Sequence, residues 1–175
     1  MKKPGVYLLI AGMSFIAGLP PAFSDTKTVM TDSKAIIGPL LELTISQQGQ
    51  SELKFGNIRP SALGPTEVGP VLMVIDVKAN SGERYQVTQI MNSSLENAEG
   101  KKLDLENLKF KTASLKSNGT AVASPTNVSS SAQVIFTSDA NGTSDTITAE
   151  YMLTVPPTQE PGDYSSLLTY TVSSL

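Results

Sequence analysis

The run Asp139-Ala140-Asn141-Gly142-Thr143-Ser144-Asp145 gathers oxygen-bearing side chains within a few residues, and hard cations such as calcium take oxygen ligands. It lacks the spacing and closing glutamate of an EF-hand loop, so a plain hairpin turn over Asn141-Gly142 is the expected reading. Paired carboxylates can cleave glycosides. The nearest pairs are Asp104 with Glu106 and Glu96 with Glu99, in polar stretches with no aromatic neighbour to hold a sugar ring. Four Asn-X-Ser/Thr triplets, at Asn92, Asn118, Asn127 and Asn141, match the glycosylation pattern, but they lie in loops rich in Asn, Ser and Thr, where such triplets arise by chance. With no cysteine and no histidine, the chain lacks thiol catalysis, a Ser-His-Asp triad and the usual structural zinc sites. No catalytic, cofactor-binding or metal-ligating residue is assigned, and no enzymatic activity is expected.

The elements that position these residues are strands. From 146 to 155, Ile147, Ala149, Tyr151, Leu153 and Val155 fall on one face, with polar residues on the other except Met152. That period of two belongs to a half-buried strand. It resumes after Pro156-Pro157 and Pro161-Gly162 with Leu168, Tyr170 and Val172. The stretch 71–79 is the most apolar and belongs in the centre of a sheet. Asn80-Ser81-Gly82-Glu83 reads as a hairpin turn into 84–90, where Tyr85 and Val87 point inward. Shorter strands are expected at 40–46 (Leu41, Leu43 and Ile45 inward), at 53–58 around Phe55, at 108–111 with a lysine-lined outer face, and at 133–137 with Val134 and Phe136 inward. The segment 92–102 reads as a long loop and 103–108 as an edge strand or one helical turn; 117–131 is too poor in apolar residues to add much core. Recurrent glycine turns then give an all-β, immunoglobulin-like two-sheet sandwich of about seven to nine strands.

Residues 1–24 have the three parts of a cleaved secretory signal peptide: Lys2-Lys3, an apolar run over 6–19, and Ala22-Phe23-Ser24 before the cut. The run is too short and too interrupted for a permanent span, so no stable membrane insertion is expected. Its Lys-Lys start is of bacterial type. Residues 25–37 form a flexible lead-in or an arm that pairs with another molecule, and 38–175 the sandwich. Losing Lys2 and Lys3 takes the formal net charge from −3 to −5. That acidity disfavours nucleic acid and anionic membranes as partners. Lys101, Lys102, Lys109, Lys111 and Lys116 read as a solvated face, because Asp104 and Glu106 lie among them.

Leu53-Lys54-Phe55-Gly56-Asn57-Ile58 ahead of a Pro/Gly-rich crossing resembles the early strand of spore-coat-protein-U-type secreted domains, which include pilins of the archaic chaperone-usher class. The runs Tyr151-Met152-Leu153-Thr154-Val155-Pro156 and Gln159-Glu160-Pro161-Gly162-Asp163-Tyr164, leading into Leu168-Thr169-Tyr170-Thr171-Val172, are similar to the closing strand pair of those domains and also to WxL-type surface domains. The likeness covers about half of the chain after the leader. It departs in two places: those pilins commonly carry cysteines, and their leading segment alternates large apolar residues, which 25–37 hardly does. It implies export and a sandwich whose partners are proteins, met by strand addition or self-assembly. The expected role is a non-enzymatic exported structural or interaction module, pilus-like or at the cell surface. The alternative is a monomeric periplasmic or extracellular ligand-binding domain, for instance for carbohydrate.

Overall fold

The computed structural model describes residues 35, 37–47, 53–116 and 119–175. The expected leader at 1–24, nearly all of the arm at 25–37 and the triplet at Asn118 lie outside the described residues. The strands are β1 (Leu41–Ser46), β2 (Thr66–Ala79), β3 (Tyr85–Met91), β4 (Leu95–Glu96), β5 (Lys102–Leu103), β6 (Leu108–Ser114), β7 (Thr120–Ala121), β8 (Thr126–Asn127), β9 (Gln133–Thr137), β10 (Asp145–Val155) and β11 (Leu168–Ser174). They form an all-β sandwich. One antiparallel sheet has the order β1-β2-β10-β6-β8, the other β11-β3-β9-β7, and β4 pairs with β5 apart from both.

The inward faces follow the alternation. Met73, Ile75 and Val77 of β2 meet Ile147, Ala149, Tyr151 and Leu153 of β10 beside them, and Tyr85 and Val87 of β3 close the core from the other sheet, all essentially inaccessible to water. Each such side chain contributes about 1.5–3 kcal/mol of burial. With no disulfide, this aliphatic and tyrosine packing holds the described domain.

Several expectations need correction. The turns at 80–83 and 141–142 are not hairpins: each carries the chain from one sheet to the other, since β2 and β10 lie in one sheet and β3 and β9 in the other. Both crossings pack at the same end of the sandwich. Gly142 has φ +58, and a Cβ there would fall 1.8 Å from the Glu83 carbonyl oxygen, so only glycine lets the two turns touch. Residues 53–58 form no strand and belong to neither sheet, with Gly56 at φ +73; Leu53, Phe55 and Ile58 still pack against the core. The 92–102 loop holds β4 and buries Leu95 and Asn97, and 103–108 contains both the end of β5 and a 3-10 turn at Leu105–Asn107. The 117–131 stretch contributes β7, β8 and a buried Val128. β6 runs between β10 and β8, and Lys111 on its outer face meets Glu150 at 2.8 Å.

Val134 and Leu41, expected inside, are 47% and 39% exposed. In β9 the register against β3 slips between Val87↔Phe136 and Thr88↔Val134. The extra residue, Ile135, turns inward beside Phe136, as a bulge requires. Leu41 is the first residue of β1 and pairs with Ala79, the last of β2, at the margin of the sheet.

A second irregularity lies in β2, whose register against β10 shifts between Tyr151 and Leu153. Gly69 sits there at φ +117, and a Cβ would fall 2.6 Å from the Tyr151 carbonyl oxygen. Gly69→Ala is expected to cost roughly 1–3 kcal/mol, from the unfavourable φ and the backbone clash. A urea titration measures it, and an unchanged midpoint would show that the bulge relaxes freely.

Candidate functional site: an apolar groove with a polar wall

β1 covers β2 only from Val74 to Ala79. Among the described residues, Thr66–Met73 therefore ladders with β10 alone, and β11, the edge of the other sheet, ladders with β3 alone. A cavity of about 760 Å³ lies between the sheets, reached by Met73 at the inner end of the first edge and by Leu168 and Tyr170 of the second, with residues 53–58 along it. Phe55, Met73, Met91, Leu108, Leu153 and Leu168 give it apolar walls.

One rim of the cavity is the turn that precedes β11. Glu96 and Ser165 exchange backbone hydrogen bonds at 3.0 and 3.1 Å, Lys101 Nζ meets Glu160 Oε1 at 2.6 Å, and Gln159 Nε2 donates to Tyr164 Oη at 2.7 Å. Tyr164 in turn donates to the Glu160 carbonyl at 2.9 Å. The hydrogen bond from Lys101 holds its ammonium above the usual lysine range. These ties strap the rim to the small β4-β5 pair.

Set into the inner wall is a polar chain. Tyr151 Oη donates to Gln89 Oε1 at 2.5 Å. Its single hydrogen is thereby used, so Tyr170 Oη, 2.6 Å away, donates to it. Gln89 is 1% exposed, and its Nε2 has no hydrogen-bond partner among the described residues. A buried donor left unmade costs about 1–3 kcal/mol. Burial pushes the Tyr170 phenol up to about 12 and, helped by the nearby Tyr170, the Tyr151 phenol well above its ordinary value. Both are therefore donors at neutral pH.

The residues singled out from sequence do not gather into a site. Asp104, Glu106, Glu96 and Glu99 are all exposed, and Glu96 lies 3.9 Å from Lys102. Asp139 accepts from Thr143 N and Oγ1 at 2.8 and 2.7 Å, which lowers its carboxyl from the usual range. Asp145 is buried and accepts from Ser114 Oγ, Lys116 N and Thr146 N. These oxygens brace the crossing between sheets, and no group of three metal-binding side chains occurs among the described residues. Asn92, Asn127 and Asn141 are exposed. Lys101, Lys102 and Lys111 each pair with a glutamate instead of forming a basic patch.

Tyr85, Tyr151 and Tyr170 do point inward as their alternation requires, though Tyr170 stays partly open. Gln89 was missed. Its signal is its place in the inward series Tyr85, Val87, Gln89, Met91, where a polar residue interrupts an apolar face. No helix among the described residues is long and apolar enough to cross a membrane. No protein-family model matches the chain, and no curated protein matches it.

Proposed function

We propose that this chain is a non-enzymatic, exported structural and interaction subunit, pilus-like or at a cell surface, that assembles by accepting a strand of a second copy into the groove. The observation that carries this reading is that, among the described residues, β11 and the Thr66–Met73 half of β2 each ladder on one side only, with a cavity of about 760 Å³ between the sheets that Met73, Leu168 and Tyr170 line. An added strand gains main-chain hydrogen bonds from such an edge and side-chain burial from the space beside it. The occupant proposed is 25–37 of another copy, thirteen residues, against the seven of β11.

Export rests on the leader at 1–24, and the absence of enzymatic chemistry on the dispersed, solvated carboxylates. Nucleic acid and membrane are not among the proposed partners. The test is deletion of 25–37 from the exported chain. Oligomers seen by light scattering with the intact chain are expected to vanish. A second reading has its own support, since the cavity falls in the size range of small-molecule sites, roughly 300–1,000 Å³, and Tyr164 and Tyr170 line it. If the chain is monomeric with or without 25–37, the subunit reading is overturned and glycan binding becomes the measurement to make.

A further inference from the structure

The two sheets differ in what they show to solvent. β3, β7, β9 and β11 contain no aspartate, glutamate, lysine or arginine, whereas each long strand of the other sheet carries charge, as Glu42, Asp76, Lys111 and Glu150 show. Because Tyr85, Val87 and Gln89 are buried, Gln86, Thr88 and Ile90 point out of β3 on the opposite face. The register sets Thr171 and Val134 on either side of Thr88, and Thr169 beside Ile90. Thr169 and Thr171 are exposed and Val134 is 47% exposed, so this face is open to water. It is a surface of hydroxyls, amides and methyl groups with no charge in it.

That chemistry selects the partner. Nucleic acid requires lysine or arginine, and a sugar ring requires an aromatic platform, whereas Tyr85, Phe136 and Tyr170 of these strands turn to the inner side. A second copy meets the requirement. The chain carries a formal net charge of −3, or −5 without Lys2 and Lys3, so two copies repel where their carboxylates come within a Debye length of about 8 Å. Meeting across the uncharged strands, neither copy buries an unpaired charge. The methyl groups of Thr, Val and Ile are covered, and the hydroxyls find partners across the contact. Sheets pack face to face in this way at a separation of about 10 Å.

We infer that the outer face of the β11-β3-β9-β7 sheet is a self-contact surface, on which a second copy of this chain packs sheet to sheet about a two-fold axis. Three strands about 4.8 Å apart and about 24 Å long give on the order of 350 Å² per copy, less than half of the roughly 800 Å² per partner of a free-standing interface. The contact is therefore weak between free copies and gains strength where copies are already held side by side. It lies on the side of the sheet away from the cavity and does not need the strand exchange proposed above.

The experiment is sedimentation of the exported chain over a dilution series that reaches the millimolar range. Thr171→Lys and Thr171→Glu are each expected to weaken association at least about tenfold, because each sets like charges against one another across the axis. An equimolar mixture of the two variants should recover association to within about threefold of the unsubstituted chain. Thr148→Lys, on the outer face of β10 in the charged sheet, should change it less than about twofold. Should a Thr171 variant lose its strand signal in circular dichroism, Thr169→Lys and Thr169→Glu supply the second pair. An unsubstituted chain that does not associate, association indifferent to both substitutions or not recovered on mixing, or an equal loss with Thr148→Lys overturns the self-contact. Deletion of 25–37 separates this contact from the groove. Association that survives the deletion but not Thr171→Lys keeps the face and removes strand exchange; association lost with the deletion but indifferent to Thr171→Lys does the reverse.

Discussion

Tyr151→Ala is expected to destabilise the domain by about 3–5 kcal/mol, the range for emptying a buried aromatic site. The ring is fully buried at the centre of β10 and packs against Phe110 with centroids 6.1 Å apart. Its hydroxyl also joins the two sheets, through Gln89 on β3 and Tyr170 on β11. The alanine variant leaves both a cavity and a glutamine side chain with neither polar end partnered. Tyr151→Phe keeps the ring and removes only the bridge, so about 1–3 kcal/mol is expected. Urea titration with an unchanged slope reads both values. A phenylalanine variant as damaged as the alanine variant would move the main contribution from packing to the polar bridge. An alanine variant that loses less than about 1 kcal/mol would mean that the core collapses into the gap. Since domains are held by about 5–15 kcal/mol in total, the expected alanine loss leaves a chain close to unfolding.

The second large effect is on alkaline stability. Tyr85 is pushed up to about 12, first by burial and then by the charges of Asp145 and Asp139, and Tyr170 reaches about 12 chiefly by burial. Tyr151, also buried, lies well above its ordinary value. An unfolded tyrosine ionises near about 10. Above that pH the unfolded chain has lost protons that the folded chain retains, so stability falls as pH rises. Below about pH 10 these three groups are protonated in both states and the contribution is complete. Each contributes a slope of up to about 1.4 kcal/mol per pH unit, and together about 4 kcal/mol per unit. Unfolding is therefore expected between about pH 11 and 12. Tyrosinate absorbance followed against pH should lag and then rise together with the loss of strand signal in circular dichroism. Three phenols titrating smoothly near pH 10 with the fold intact would contradict the buried network. A Tyr170→Phe chain should reach its alkaline transition at higher pH than a chain with all three.

The strands of this domain were legible wherever one face is buried and the other wet. β10 is the clearest case: Ile147, Ala149, Tyr151, Leu153 and Val155 are buried as their spacing requires. What the residues around a turn do not encode is the sheet to which the next strand belongs. Asn141-Gly142 and Ser81-Gly82 have the chemistry of tight turns, and that chemistry serves a crossing between sheets as well as a hairpin. The choice is made by partners far along the chain, as in the pairing of Ile147 with Ile75. Ile135 was lost for a related reason, because a bulge is defined by a register against β3 that β9 alone does not contain. The acidic run 139–145 looked like ligand chemistry and is a brace, since its oxygens are taken by Thr143, Ser114 and backbone amides. The groove was invisible for a different reason. It exists where β1 ends at Ser46 while β2 continues toward Thr66, which is a relation between two segments and not a property of either.

The chain crosses between the sheets at nearly every step. From β2 to β3, β6 to β7, β7 to β8, β8 to β9, β9 to β10 and β10 to β11 it leaves one sheet for the other, and only the two-residue pair β4-β5 ladders with its immediate successor without a long intervening segment. Completion of either sheet waits for the end of the chain, because β2 meets β10 and β3 meets β11 only more than sixty residues later. Loop closure of that length must precede its reward, which places such topologies among slow folders, on the millisecond-to-second scale. Neither sheet is complete until the last thirty or so residues arrive. Those residues then lock both sheets in one cooperative event. The same wiring that leaves both sheets incomplete until then makes the domain late to fold.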